Sequence, residues 1–159
     1  MKVEVDVNMT TGVMYDYMMY HTLTGAQFYM ALFAGVMLVA VFCINSQPLY
    51  LIAGIAAIAY LPVERYIQAK KQVGLNPVFK ETIHYVLDDE KISVDVLNEH
   101  NEAEWDSVIK VRSTGKSLIL YTSRVAATIL PKESLGADYE KAVELIKKGV
   151  PAERVRIHK

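Results

Sequence analysis

From Tyr17 to Val63 the chain contains no Asp, Glu, Lys or Arg, although these four types make up 22% of its 159 residues. The gap holds two apolar runs, residues 23–44 and 49–63, joined by Asn45-Ser46-Gln47-Pro48. Helices that are apolar on every side belong in a bilayer or at the centre of a large protein. The rest of this chain is too small to cover two of them, so the pattern predicts a helical hairpin through a membrane.

At 1.5 Å per residue the first run reaches about 33 Å, enough for a hydrocarbon core of roughly 30 Å. The second reaches about 22 Å and needs Pro48 at its start and Arg65-Tyr66 at its end, which sets the spans at about 23–44 and 48–66. Pro48 suits a first helical turn, where its missing N–H costs nothing. Tyr15, Tyr17, Tyr20, Tyr50, Tyr60 and Tyr66 cluster at the ends of the runs, as rings of the headgroup zone do. Ala31-x-x-x-Gly35 and Ala53-x-x-x-Ala57 are small-residue pairs through which the helices can approach.

Arg65, Lys70, Lys71 and Lys80 follow the second run, whereas the connecting turn carries no charge. The positive-inside rule then predicts residues 64–159 in the cytoplasm, and a hairpin returns the N-terminus to the same side of the cell (inner) membrane. The sequon Asn8-Met9-Thr10 would never meet a glycosylation machinery. No signal peptide is visible, because Glu4, Asp6 and Asp16 precede the first run and Lys2 is the only positive charge there.

Ahead of the hairpin, residues 2–9 alternate strictly, with Val3, Val5, Val7 and Met9 on one face. A lone strand has nothing to pair with, so this one must pair with strands beyond the hairpin, which again puts both ends on one side. Those later strands read as Phe79, Ile83, Tyr85 and Leu87; a turn at Asp88-Asp89-Glu90; then Ile92, Val94 and Val96. After a polar loop at 98–102 come Ala103, Trp105, Ile109 and Val111, a turn at Gly115-Lys116, and strands at 118–122 and 126–130. The expectation is a five-strand antiparallel meander after the hairpin. Tyr139, Ala142, Val143 and Ile146 then mark one stripe of a helix that stops at Gly149 and Pro151, and Val155 and Ile157 suggest a short edge pairing.

The expected domain boundaries are 1–9 for the first strand, 10–75 for an interfacial segment and the membrane hairpin, and 76–159 for the remainder of the cytoplasmic domain. The predicted fold class is α+β: a transmembrane hairpin inserted after the first strand of a small antiparallel pleckstrin-homology-like β-barrel with a C-terminal helix. The run Glu104-Trp105-Asp106-Ser107-Val108-Ile109-Lys110-Val111, with residues 118–121 and Ile129-Leu130-Pro131-Lys132, resembles the YcxB-like family of bacterial membrane proteins. That resemblance implies two N-terminal membrane helices and a cytoplasmic domain of this kind over nearly the whole chain. It brings no activity and no catalytic residue.

Chemistry is sparse. The net charge is −1 with acids and bases interspersed, so there is no basic field for nucleic acid. Cys43 is the sole cysteine, and His21, His84, His100 and His158 have no metal-like spacing, so neither a metal nor a cofactor is expected. Phosphate-loop, nucleophile-elbow and zinc-protease signatures are absent, which predicts a non-enzymatic protein. Gln27, Cys43 and Asn45 are the notable polar groups of the spans and carry no charge at neutral pH, unlike a transport pathway. Trp105 reads as a core aromatic on the face of Ile109 and Val111, and Pro131-Lys132 as a strand terminator.

What remains is Arg65, Lys70 and Lys71, placed for contact with the membrane surface or simply setting topology. The expected role is a membrane-anchored scaffold that docks a protein partner, by strand addition at a sheet edge or in the groove beside the C-terminal helix. A lipid- or small-molecule-responsive module and an accessory subunit of a transporter or membrane enzyme are the alternatives, and homo-oligomerisation stays open.

Overall fold

A computed structural model describes residues 1–97, 99–123 and 126–157. The first strand, β1 (Val3–Val7), buries Val3, Val5 and Val7 and turns Glu4 and Asp6 outward. It pairs antiparallel with β2 (Ile83–Leu87), Val5 opposite Tyr85, so the strand before the helices and the strand after them are neighbours, as the alternation requires.

Between β1 and β2 lie three helices. The first, α1 (Thr11–Leu23), falls in the stretch read from sequence as an interfacial segment. Its start is fixed by Thr10, whose Oγ1 accepts from the Val13 amide at 3.2 Å. Then come α2 (Ala26–Asn45) and α3 (Pro48–Leu75), both long and apolar enough to cross a membrane and almost uncovered by the rest of the protein. Ser46, with φ 56°, closes α2, and Pro48 opens α3.

The helices approach closely at Gly35, a member of the expected Ala31-x-x-x-Gly35 pair, and at Gly54, which lies beside Ala53 of the second pair. A Cβ on Gly54 would lie 2.9 Å from the Gly35 carbonyl oxygen, and one on Gly35 only 2.5 Å from Ile58 Cγ1. α3 continues to Leu75, past residue 66 where the second span was expected to end, and it packs against α1. Tyr15 of α1 meets Tyr66 of α3 edge to face, with ring centroids 5.8 Å apart.

Beyond α3, Phe79 sits in a 3-10 turn opened by Pro77 and capped by Asn76, not in a strand. The Asp88–Glu90 turn is as expected, with Asp88 Oδ1 accepting from the Glu90 and Lys91 amides. It leads into β3 (Lys91–Val96). The segment read as a polar loop is a strand, β4 (Glu99–Glu104), apart from Asn98, which lies outside the described residues. Its side chains are almost all exposed because it forms the end of the sheet, and such a strand shows no apolar alternation.

The strand expected over 103–112 is broken. Trp105–Ser107 form a 3-10 turn, and β5 (Lys110–Ser113) begins afterwards. The turn shifts the phase, so Trp105, Val108 and Val111 are buried whereas Ile109 is 55% exposed, contrary to the shared face predicted for it. Then come β6 (Ser117–Tyr121) and β7 (Ala127–Pro131), the latter ended by Pro131, a four-residue α4 (Lys132–Leu135), and the anticipated helix α5 (Tyr139–Gly149). A final β8 (Val155–Arg156) pairs parallel to β5 through Val155; Ile157 takes no part in the ladder.

The strands form two four-stranded sheets, ordered β1-β2-β3-β4 and β7-β6-β5-β8. Among the described residues no ladder joins β4 to β5 or β1 to β7, so the strands expected to form a small β-barrel lie in two sheets around one core, with no closed barrel shown. That core contains Val5, Val7 and Leu87 of the first sheet, Val111, Leu118, Leu120 and Leu130 of the second, and Ala142, Val143, Leu145 and Ile146 of α5. Each large aliphatic side chain so buried contributes about 1.5–3 kcal/mol. Trp105 donates from Nε1 to the Asp88 carbonyl at 2.9 Å and rests directly on Gly149, where a Cβ would lie 2.4 Å from its ring.

Candidate membrane-proximal site

Arg65, Lys70 and Lys71 all lie on α3, but they do not converge. Arg65 lines a cavity of about 520 Å³ between α1, the start of α2 and α3, with Tyr17, Met18, His21 and Gln68 among its walls. Lys71 lines a second one of about 490 Å³, shared with Leu75 and Asn76, and the two cavities have Met18 and Gln68 in common. Lys70 is exposed on the same helix.

Arg65 is held from its own helix. Its Nη1 donates to Gln68 Oε1 at 2.9 Å, and Gln68 Nε2 donates to Glu64 Oε1 at 2.6 Å. Its Nη2 stands 3.6 Å from Glu64 Oε2, a partial neutralisation that the sequence reading of a basic cluster did not include. The Arg65 Nε is enclosed and has no hydrogen-bond partner among the described residues.

On the opposite wall, α1 is fastened to the second sheet. Tyr121 Oη and His21 Nε2 are 2.9 Å apart, and the Thr114 hydroxyl donates to Asp16 Oδ2. Tyr17 packs edge-on against His21, with centroids 4.9 Å apart, and Lys110 Nζ lies 4.6 Å above the Tyr121 ring. Partial burial, reinforced by the Lys110 charge, holds the His21 pKa below its ordinary value, whereas burial pushes the Tyr121 hydroxyl up. The contact therefore joins a phenol to an imidazole biased toward its neutral form, and the imidazole tautomer sets which of the two donates. The i, i+4 spacing of Tyr17 and His21 was the available sequence signal for this contact.

The outer face of the first sheet carries charge pairs. His84 Nδ1 is 2.6 Å from Asp6 Oδ1, and His100 is flanked by Asp95 and Glu102, the latter also bound by Lys91. Among the described residues no group of three or more His, Cys, Asp or Glu side chains is arranged to hold a metal ion, and Cys43 is exposed on α2. At the far end of that sheet, β4 presents Glu99, His100, Asn101 and Glu102 along an edge that, among the described residues, is paired on one side only, by β3.

These features define an α+β protein whose two-sheet domain is interrupted, after its first strand, by a long apolar helical hairpin. A family described as YcxB-like protein has a model that matches residues 87–146, from the end of β2 into α5. The match thus covers Trp105 and the sheet strands around it and stops short of all three helices before β2. No curated protein and no solved structure matches the chain.

Proposed function

We propose that the chain is a non-enzymatic, membrane-anchored docking domain: α2 and α3 span the cell (inner) membrane, both termini are cytoplasmic, and a protein partner binds at the membrane surface. The β1–β2 ladder supports the topology, since it brings the two ends of the hairpin to one side. The basic flank of Arg65, Lys70, Lys71 and Lys80 against an uncharged turn supports the cytoplasmic assignment. Two four-stranded sheets with a C-terminal helix are also the parts from which a pleckstrin-homology-like domain is made, which favours that likeness.

The observation that carries the docking reading is the open edge of β4. Among the described residues its outward backbone groups have no strand partner, and an extended segment added there would extend the first sheet by one strand. Glu99, Glu102 and Glu104 favour a basic partner segment, with Lys91 already offsetting Glu102. The groove beside α5 is the weaker candidate, because Gly149 lies directly on Trp105 and closes it there.

A photo-crosslinking residue placed at His100 or Asn101 of the full-length membrane protein, with Lys141 on α5 as control, tests this. Protein crosslinks concentrated at β4 and lost with Glu102→Pro support it, since proline removes a ladder donor. Crosslinks at Lys141 with none along β4 contradict it.

A further inference from the structure

We infer that the cavity between α1, the start of α2 and α3 holds the phosphodiester group of a membrane glycerophospholipid. The inference goes beyond the β4 docking surface and shares with it only the premise that α2 and α3 span a bilayer.

The cavity lies at the depth of the headgroups. Gly35 and Gly54 are in contact, and from them the antiparallel helices run back nine residues to Ala26 and eleven to Arg65, about 14 and about 17 Å. Arg65 and the first turn of α2 therefore stand level. The twenty residues of α2 measure about 30 Å, one hydrocarbon thickness, so that level is the boundary between acyl chains and headgroups. The apolar side chains of α2 beyond the cavity, such as Met30 and Phe33, are exposed where acyl chains would run.

Its donors suit a phosphate oxygen. Arg65 lines the cavity, and of the four N–H groups on its two Nη atoms it spends one on Gln68 and turns Nη2 toward Glu64, leaving others over for an oxygen acceptor. Gly25, Ala26 and Gln27 line it too: Gly25 gives α2 no side-chain cap, and no acidic residue occupies the first turn. The first amides of a helix lack intrahelical acceptors and attract anions. Glu64 beside Arg65 brings the pair to zero net charge, so the site has little preference for an anionic over a zwitterionic headgroup, and the diester is held by directed N–H groups rather than by net charge.

The test uses the full-length protein, stripped of lipid in mild detergent and titrated with dioctanoyl phosphatidylethanolamine, dioctanoyl phosphatidylglycerol or dioctanoylglycerol, with retained lipid counted by native mass spectrometry. One phospholipid of either headgroup should be retained, and dioctanoylglycerol, which lacks the phosphate, should not. Arg65→Gln should weaken retention at least tenfold, whereas Lys70→Gln and Lys71→Gln should leave it unchanged. Gln27→Glu places a negative charge where it favours the helix but repels phosphate, so it should weaken retention without lowering thermal stability. Equal retention of dioctanoylglycerol, or undiminished retention in both Arg65→Gln and Gln27→Glu, overturns the inference. Release of the wild-type protein from native membranes by alkaline carbonate would instead remove the shared membrane premise.

Discussion

The Tyr121 hydroxyl and His21 Nε2 meet at 2.9 Å, joining a residue two short of the end of α1 to the last residue of β6, one hundred positions later in sequence. Together with Thr114 and Asp16, this contact ties the helix leading into the hairpin to the second sheet rather than leaving it as a linker. The orientation of the two-sheet domain relative to α2 and α3 thus depends on side chains that the sequence presents as ordinary interfacial residues.

Tyr121→Phe should lower stability by about 1 kcal/mol, the usual net worth of one such hydrogen bond. His21→Phe should cost a similar amount. A double-mutant cycle in thermal unfolding of the detergent-solubilised protein should show the two losses to be non-additive. Additive losses would mean that the pair is not coupled.

His21 and His100 should titrate in opposite directions from the ordinary value of 6.5. For His21 the neutral form is favoured by burial and by Lys110, with Tyr17, Tyr20, Tyr121 and Arg65 as its other titratable or charged neighbours. Its contribution is complete above about pH 6.5 and is lost as pH falls through the lowered folded pKa. For His100, hydrogen bonds to Glu102 and Asp95 favour the charged form. That contribution is present below about pH 6.5 and is lost as pH rises through the raised folded pKa. Imidazole NMR signals followed against pH would check both; a shared midpoint contradicts the geometry.

Gly54→Ala should force α2 and α3 apart, since the new methyl meets the Gly35 carbonyl at 2.9 Å and backbone cannot swing aside. A loss of about 1–3 kcal/mol is expected. Gly74→Ala, near the end of α3 with nothing within 4 Å, should instead stabilise by up to about 1 kcal/mol through helix propensity. Thermal melts of the two variants should move in opposite directions.

Gly149→Ala drives a methyl into the Trp105 ring, 2.4 Å away. It should destabilise the domain by about 1–3 kcal/mol and red-shift the emission of this sole tryptophan as its pocket opens. An unchanged spectrum with an unchanged melting temperature would contradict the close packing of α5 on Trp105.

Where one physical signal dominates, the sequence is readable. The strict alternation of Val3, Val5 and Val7 and the stripe of α5 each follow from a single buried face, and the uncharged stretch to Val63 from helices apolar on every side. Where burial is on several sides or on none, it is not. In α1 only Met14 is buried, and the half-buried residues surround the axis because α3 and the second sheet flank it, so no stripe forms. In β4 exposure on nearly every position hides a strand made by backbone pairing alone. The 3-10 turn at Trp105 broke one expected strand in two, and the partial neutralisation of Arg65 depended on a rotamer of Glu64 that spacing does not encode.

The central claim is a two-span hairpin with the two-sheet domain on the cytoplasmic side. In a Cys43→Ala background, single cysteines are placed at the α2–α3 turn by Gln47→Cys and on α5 by Lys141→Cys. Both are probed in intact cells with a membrane-impermeant maleimide. The account predicts labelling at position 47 in intact cells and at position 141 only after permeabilisation. Labelling of position 141 from outside, or of neither position until permeabilisation, would contradict it.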